Sequence, residues 1–424
     1  MEQNSSTRGR GKVKPLQNLS TEHIQAILLE KIEEETALII DDPADELLLQ
    51  HIQYKPKKYN MAGLFSGCGG LDLGFELAGL VTAIGEEAAF EAFQSKETYE
   101  ALRHESVFHT IYTNDMFKEA NETYKLNFPS HVIQHEKDIR KVANFPLCNV
   151  MLGGFPCPGF SEAGPRLLDD KRNFLYIHFI RALMQTKPEF FIAENVKGMM
   201  TLGKGEVVRQ IVEDFASAGY NVKYELVNSR DYGVPQLRER VFLVGVRHDV
   251  DFDYVFPEPT HGDAPHLKPF VTLHDAIGDL QANPGPYYDD ASFSSIYMSR
   301  NRKKSWDEQS FTIQASGRQA PMHPGGEPMI KVGKDDWQFQ GTENRRLSVK
   351  EIARIQTFPD WYEFSSGAPT KNENGQLDKI YKQIGNAVPV LLARAIAQPI
   401  ADYAARQIQQ NELPAQLSFQ SSLF

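Results

Sequence analysis

One cysteine stands in a segment that predicts a reactive side chain. Cys157 lies between two prolines in residues 153–161, directly after an apolar run that predicts a strand. The prolines fix an extended path, which holds the intervening side chain out of the core. A buried structural cysteine is the alternative, but such residues normally lie inside a helix or strand. The pattern therefore favours a thiolate nucleophile at the end of a strand.

A carboxylate follows another apolar run. Glu194 ends residues 190–194, which predict a second buried strand. If the two strands belong to one parallel sheet, their carboxyl ends meet at the edge where such sheets bind ligands. A thiolate beside a carboxylic acid can attack a ring carbon and protonate a ring nitrogen of the same substrate. Cys157 and Glu194 are the predicted catalytic pair.

Two arginines alternate with other residues ahead of a third apolar run, 241–246. In an extended chain Gln236, Arg238 and Arg240 point to one side. Guanidinium groups beside a cysteine favour its thiolate and can donate to a carbonyl oxygen. A charged strand entry held by salt bridges is the alternative.

A glycine-rich turn predicts a nucleotide-like ligand. Residues 64–70, LFSGCGG, follow a predicted strand and open a helix, although a plain tight turn has the same pattern. Asp115 is the candidate for binding a ribose, with Glu86 competing, and Asp138 can accept from an adenine amine; a solvated loop is the alternative for each. Asn386 is expected to begin the last helix and to present its amide there.

The surrounding pattern predicts an α/β fold. From residue 59, short apolar runs that predict buried strands alternate with helical stretches, which implies a parallel sheet with helices on both faces. The runs are 61–65, 81–85, 150–154, 190–194 and 241–246, and the helices are 173–185 and 205–218. Residues 1–58 are predicted to be a helical extension packed on the body.

The alternation stops near residue 249. Residues 251–345 are rich in Pro, Gly, Asp and Ser, and predict a second, smaller, mostly β or irregular domain with a strand at 310–315. Helical periodicity returns at 348–357 and 388–405. The expected domains are 1–58, 59–250, 251–345, a hinge and return segment at 346–375, and a C-terminal part of the first domain at 376–424.

Composition limits the class of protein. The 424 residues suggest two or three domains, and 41 % apolar with 24 % charged residues is typical of a soluble globular chain. We find no run of about 18 apolar residues, which argues against an integral membrane protein. The N-terminus has no apolar signal region, and three cysteines without CxxC spacing predict neither a disulfide framework nor zinc. The cytoplasm is the expected compartment.

The charge distribution is uneven. The chain carries a net charge of −11, yet residues 292–350 hold ten basic and six acidic side chains, while residues 61–134 hold four and eleven. A polyanion partner such as DNA requires a basic surface. Residues 292–350 suit such a partner and residues 61–134 do not.

Taken together and in order, these segments resemble the DNA cytosine-C5 methyltransferases. The resemblance covers residues 59–405 and rests on FSGCGG, the acid at Asp138, FPCPGFS, ENV, QLRER, RRLSVKEIARIQTFP and GNAVP. It implies a Rossmann-like methyltransferase sheet with a target-recognition domain, and S-adenosylmethionine as cofactor. The residues that match cofactor-binding positions are Phe65, Gly67, Gly69, Asp115, Met116, Asp138, Ile139, Leu175, Asn386 and Val388.

The resemblance also implies a mechanism. Cys157 adds to C6 of cytosine, which makes C5 nucleophilic, while Glu194 stabilises charge at N3 and Arg240, beside Arg238, orients O2. Because the target atom is inaccessible inside duplex DNA, the base must be flipped out.

Residues 298–319 look like the recognition segment of GGCC-specific members of restriction–modification systems. That implies methylation of the inner cytosine of GGCC by a monomer on duplex DNA. The expected DNA contacts are Arg300, Arg302, Gln314, Ser316, Gly317 and Arg318, since arginine pairs bidentately with guanine. Some of these arginines can instead bind phosphate and only position the protein.

Three departures from the family pattern stand out. Pro158 replaces a glutamine, Gly63 replaces a frequent strand-end acid, and residues 87–110 are an insertion. Two other functions stay open from the sequence. One is a tRNA cytosine methyltransferase with the same motifs, and the other is a catalytically silent DNA-binding protein.

Overall fold

The computed structural model describes residues 20–156, 174–290, 293–369 and 371–410. Strands in the first two of these ranges build the central sheet and one short ribbon. They are β1 (Tyr59–Leu64), β2 (Phe108–Asn114), β3 (Ile133–His135), β4 (Val150–Gly153), β5 (Phe190–Val196), β6 (Tyr220–Asn228), β7 (Gln236–Leu237) and β8 (Glu239–Arg247). Seven of them form one sheet in the order β3-β2-β1-β4-β5-β8-β6.

The sheet is parallel from β3 to β5 but not beyond. β8 runs antiparallel to both β5 and β6, which corrects the expectation of a uniformly parallel sheet. The reversal places the beginning of β8 beside the end of β5, so that Arg240 is the register partner of Val196. Residues at the start of β8 therefore reach the edge where the parallel strands end.

The described residues also form thirteen α-helices, of which α1, α7 and α9 pack on one face of the sheet and α3 and α13 on the other. They are α1 (Thr21–Thr36), α2 (Pro43–Gln50), α3 (Gly70–Ile84), α4 (Glu86–Phe93), α5 (Lys96–Leu102), α6 (Lys118–Asn127), α7 (Phe174–Thr186), α8 (Gly198–Thr201), α9 (Glu206–Ser217), α10 (Leu273–Ile277), α11 (Val349–Ile355), α12 (Glu373–Asn386) and α13 (Val390–Gln409). Phe191 and Ala193 of β5 pack in a core with α1, α7 and α9, whereas Phe190 and Ile192 pack in another with α3 and α13. This alternation is the period of two of a strand buried on both faces.

The strand predicted at residues 81–85 is wrong, because that run is the end of α3. Every residue of α3 from Gly70 to Val81 is buried. A helix that is buried all round lacks a polar stripe, so its apolar run cannot be distinguished from a strand by periodicity. The insertion at 87–110 forms α4, α5 and the beginning of β2, the strand that pairs with β1.

Residues 251–345 hold few regular elements among those described. They include α10, the two-residue strand β9 (Ser310–Phe311) and an antiparallel hairpin of β10 (Ile330–Gly333) and β11 (Asp336–Gln338). β9 pairs with β7, which links this region to the segment ahead of β8. The predicted domain boundaries themselves stay a prediction.

Among the residues that the structure describes, one helical stretch is long and apolar enough to cross a membrane. It is Glu373–Gln409, and 67 % of its most apolar window is buried inside the protein. Within it, α13 packs against α3. Its apolar residues are thus accounted for by the core.

Candidate active site

The glycine-rich segment forms the predicted turn between β1 and α3. Phe65, Gly67 and Gly69 all have positive φ, at 54°, 54° and 82°. Such a path folds the backbone tightly and favours glycine. At Gly69 a side chain would also collide with a neighbouring ring, since a Cβ there would lie 2.5 Å from Phe128.

Asp115 follows β2 and is tied to this turn. Its Oδ2 accepts from the Gly67 N–H at 2.9 Å, and its Oδ1 accepts from the Phe117 N–H at 2.8 Å. Burial raises the pKa of the Asp115 carboxyl, against the lowering effect of these bonds. Glu86, the competing candidate for the ribose, lies at the start of α4, where its Oε1 is 3.4 Å from Arg394 Nη2. It does not border the cavity described below.

The next strand end, after β3, carries Asp138 and Ile139. Arg140 Nε lies 3.0 Å from both carboxylate oxygens of Asp138, and this contact holds the pKa of Asp138 below its ordinary value. Ile139 is buried and begins a single 3-10 turn. Leu175 lies in the first turn of α7 and borders the same cavity.

Asn386 ends a helix, which corrects the expectation that it begins one. α12 stops at Asn386 and α13 starts at Val390. Pro389 explains the break, because a proline disfavours helical geometry in the residue before it. The carbonyl of Val388 then lies so close to the glycine turn that a Cβ at Gly70 would be 2.6 Å from it.

These strand ends enclose one cavity of about 690 Å³. Of the ten residues predicted to bind the cofactor, nine border it, and Gly69 supports the turn behind it. Three residues from the predicted catalytic set also border it, namely Glu194, Arg238 and Arg240. The structure therefore brings nine predicted cofactor residues and three of the four predicted catalytic residues to a single space.

Glu194 and Arg240 form an ion pair at one end of this cavity. Arg240 Nε lies 2.9 Å from Glu194 Oε1, and about an eighth of each side chain is exposed. Arg240 also donates from Nη1 to the carbonyl of Glu239 at 2.8 Å. Both the carboxylate and the guanidinium are thus held in place and still reach the cavity.

Cys157 lies outside the described residues. Pro156, which precedes it in the sequence, borders the cavity. The end of β4 is joined to the end of β5 because the Asn195 side chain donates to the Phe155 carbonyl at 2.9 Å. The two other cysteines are buried, and burial raises the pKa of both Cys68 and Cys148 to about 12.

The side chain of Arg238 is occupied by the protein itself. Its guanidinium donates to the carbonyls of Ile313, Gly385 and Ala387 at 3.3, 2.9 and 3.0 Å. Burial, with repulsion from Arg240, lowers the pKa of Arg238 to about 9. We therefore treat Arg238 as a positioning residue that joins the β9 segment to the Asn386 turn, which corrects its predicted catalytic role.

Several residues at the cavity were not singled out from the sequence. They are Asp72, Asn114, Lys137, Lys379, Lys382 and Gln383. Asp72 occupies the space beside Gly63, where a Cβ would lie 2.7 Å from Asp72 Oδ1. This places a carboxylate near the strand end that lacks the family's frequent acid. The sequence signal that could have identified Asp72 is an acidic residue in the first turn of the helix that follows the glycine-rich segment.

The predicted DNA-reading residues fall into two groups. Arg300 and Arg318 are exposed. Arg302 is buried, with its Nε donating to the Tyr297 carbonyl at 2.8 Å and its guanidinium 4.5 Å from the centre of the Tyr297 ring. The expectation that Arg302 is free to pair with guanine is therefore corrected, because its guanidinium is used inside the protein.

The other members of that segment also have internal partners. The Ser316 hydroxyl and the Gly317 N–H both donate to Asp378 Oδ1 of α12, at 2.9 and 2.8 Å. The Gln314 side chain donates to the Thr312 carbonyl at 3.3 Å. These contacts fix the loop that presents Arg318.

Comparison with known proteins agrees with this site. Residues 59–402 match the family described as C-5 cytosine-specific DNA methylase. The chain is 65 % identical to the type II methyltransferase M.BsuRI of Bacillus subtilis, over 95 % of this chain and 93 % of that protein. It is 63 % identical to the type II methyltransferase M.BspRI of Lysinibacillus sphaericus, over 95 % and 96 %.

Solved structures agree on the fold. The S. pombe Dnmt2 methyltransferase superposes with a TM-score of 0.53 at 16 % identity, over 84 % of this chain and all of that one. The family match, the two relatives and the shared cavity lead to one conclusion. The chain belongs to the C-5 cytosine-specific DNA methylase family and is a DNA cytosine-C5 methyltransferase.

Proposed function

We propose that this enzyme transfers a methyl group from S-adenosylmethionine to the inner cytosine of GGCC in duplex DNA, through a covalent adduct with Cys157. The observation that carries the proposal is the single cavity shared by the Glu194–Arg240 pair and the ends of β1, β2 and β3. The named relatives are type II methyltransferases, which supports a role within restriction–modification. We propose that it acts in the cytoplasm, as a monomer on DNA.

The cofactor end of the cavity has the donor set that S-adenosylmethionine needs. The carboxylates of Asp115 and Asp138 retain lone pairs for ribose hydroxyls and an adenine amine. Phe65, Ile139 and Leu175 offer apolar surface to a ring, and Asn386 offers an amide. When bound, S-adenosylmethionine supplies an electrophilic methyl group. The chain's own residues have to orient it and exclude water.

The opposite end suits a cytosine ring. C5 of cytosine is a poor nucleophile, so the Cys157 thiolate adds to C6 and the electron pair moves toward C5. C5 would then take the methyl group as the bond between that group and the sulfonium sulfur breaks, with S-adenosylhomocysteine as the leaving group. In its protonated form, Glu194 stabilises the charge that develops at N3 by giving a proton or hydrogen bond there, and Arg240 donates to O2. Loss of the C5 proton then expels the thiolate and restores the ring.

Comparison of the three cysteines favours Cys157 as the nucleophile. Cys68 and Cys148 are buried and have pKa values of about 12, so neither is a thiolate near neutral pH. Cys157 follows Pro156, which borders the same cavity as Glu194. A duplex base has to be flipped out to enter this space.

GGCC specificity is the finer part of the proposal. It is supported by the resemblance of residues 298–319 to GGCC readers and by the exposure of Arg300 and Arg318, which leaves two guanidinium groups for guanine edges. The test is to express the chain in a host without other methyltransferases and sequence its DNA base by base. Methylation concentrated at the inner cytosine of GGCC is expected. Another motif would overturn the specificity, and labelled methyl on tRNA rather than DNA would overturn the substrate.

A further inference from the structure

Helices α1 and α2 precede the region that matches the family, which begins at residue 59. They are nevertheless built into the protein. Ile24 and Leu28 of α1 are buried in the core with α7 and α9, and α2 packs on β3. The extension therefore covers the side of the sheet from which the Asp138 segment emerges.

Charged contacts join α2 to that segment. Asp45, which is 8 % exposed, lies 3.0 Å from His135 Nε2 through its Oδ1, and 2.7 Å from Lys137 Nζ through its Oδ2. Asp42 lies 3.0 Å from the same ammonium group. The carboxylates of Asp45 and of Asp42, the N-cap residue of α2, thus hold the side chains of His135, the last residue of β3, and of Lys137, two residues later.

The same segment is held from the sheet. The Asn114 side chain donates to the carbonyls of His135 and Lys137, both at 2.8 Å, and the Tyr112 hydroxyl lies 2.8 Å from His135 Nδ1. Sheet contacts hold its backbone and one ring nitrogen of His135, and α2 with its N-cap holds the other ring nitrogen and the Lys137 ammonium group. Lys137 itself borders the cavity, and the next two residues are Asp138 and Ile139.

We infer that the N-terminal extension is part of the cofactor site, with Asp45 as a positioning residue that sets the Lys137–Ile139 segment against the adenine end of S-adenosylmethionine. Without Asp45, the part-buried Lys137 ammonium group keeps only Asp42 as a carboxylate partner and the buried His135 ring loses the partner of its Nε2, so the segment has to rearrange to solvate them. The inference rests on the proposed cofactor. It departs from the expectation that residues 1–58 are only an appendage packed on the body.

The test measures binding of S-adenosylhomocysteine to the full-length chain by calorimetry. Asp45→Asn keeps the shape of the side chain and removes its charge. We expect its dissociation constant to rise about tenfold, as for loss of a charged hydrogen bond, with DNA affinity unchanged. In steady-state assays the KM for S-adenosylmethionine should rise while kcat at saturation stays near the wild-type value.

Two further variants keep the test decisive. Glu46→Gln changes the net charge equally, one residue along α2, at an exposed side chain, and should bind as the wild type does. Asp42→Asn keeps a good N-cap residue and removes only the second carboxylate from Lys137, so a smaller loss of about threefold is expected. It serves as the test if Asp45→Asn does not fold.

Unchanged binding in both Asp45→Asn and Asp42→Asn would overturn the inference while leaving the cofactor in place. A wild-type chain that binds no S-adenosylhomocysteine would overturn the proposed cofactor instead. An equal loss in Glu46→Gln would show that net charge, not the Asp45 contact, determines affinity. Non-additive losses in the double variant Asp45→Asn with Lys137→Gln would support action through Lys137.

Discussion

The Glu194 carboxylate and the Arg240 guanidinium form a 2.9 Å ion pair across two antiparallel strands. Arg240 is the register partner of Val196, two residues beyond Glu194, so the two charged side chains lie on the same face of the sheet. The pair fixes the direction of the carboxylate before substrate enters. Preorganised groups of this kind need no rearrangement when charge develops.

Replacing Glu194 should slow chemistry without weakening cofactor binding. Glu194→Gln keeps the size of the side chain, but an amide cannot supply a proton to N3, so we expect kcat to fall by about 10²- to 10⁴-fold. The dissociation constant of S-adenosylhomocysteine should change less than threefold. Pre-steady-state methyl transfer and calorimetry measure the two quantities.

Glu239→Gln is the matched control for this change. Glu239 lies next to Arg240 in β8, where its exposed carboxylate pairs with Lys197 at 2.7 Å, and its loss should leave kcat near the wild-type value. If Glu194→Gln and Glu239→Gln were equally active, or if the first lost affinity and rate in equal measure, the assigned role of Glu194 would be wrong.

The cysteines should differ sharply in their effect on activity. Cys157→Ala is expected to abolish methyl transfer while DNA binding persists, because no other thiol can form the adduct. Cys148→Ala should stay active, since burial keeps that thiol protonated, with a pKa of about 12. DNA with 5-fluorocytosine at the target should trap a covalent complex with wild type and with Cys148→Ala, detectable in a denaturing gel. Turnover by Cys157→Ala would refute the mechanism.

The site was predictable where short motifs follow strands. Asp115, Asp138 and Glu194 each stand at or just after the end of a strand, and parallel strand ends share an edge. Arg240 did not follow from that reasoning, because it begins a strand, and the beginning of a parallel strand would lie at the opposite edge. Only the reversed direction of β8 brings it to Glu194. Strand direction is a tertiary property that the local pattern does not contain.

The errors have a similar origin. Residues 81–85 continue the apolar sequence of α3, which is buried from Gly70 to Val81 by elements that include α13, distant in sequence. Arg300 and Arg302 are equivalent in type and context along the chain, yet one is exposed and the other buried against Tyr297. Helices α1 and α2 were predicted, but the contact of α2 and its N-cap with Lys137 depends on a pairing across more than 90 residues.

Asp72 should make stability depend on pH. Burial raises the pKa of this carboxyl to about 7, whereas its unfolded value is about 3.9. The folded state therefore binds the proton more tightly, and stability is lost as pH rises from about 4 to 7. Between pH 5 and pH 8 this group should cost about 3 kcal/mol.

Asp72→Asn removes this titration. Its amide oxygen can still accept from the Tyr124 hydroxyl, which lies 3.3 Å from Asp72 Oδ1. Urea unfolding at pH 5 and pH 8 should show a larger loss of unfolding free energy for the wild type than for Asp72→Asn. Identical losses for the two proteins would mean that the Asp72 carboxyl titrates near its ordinary pKa.

The exposed and buried arginines of the recognition segment should separate specificity from stability. Arg318 is exposed, with its Nε 3.8 Å from Asp290 Oδ2, so Arg318→Ala should leave the melting temperature unchanged and relax methylation toward sequences that differ from GGCC by one base. Arg302→Ala loses the bond to the Tyr297 carbonyl and the ring contact, and should cost about 1–3 kcal/mol of stability. Base-resolved sequencing and thermal unfolding test both variants. If Arg318→Ala weakened binding evenly across all sequences, Arg318 would be a phosphate contact and the base reader would have to be sought elsewhere.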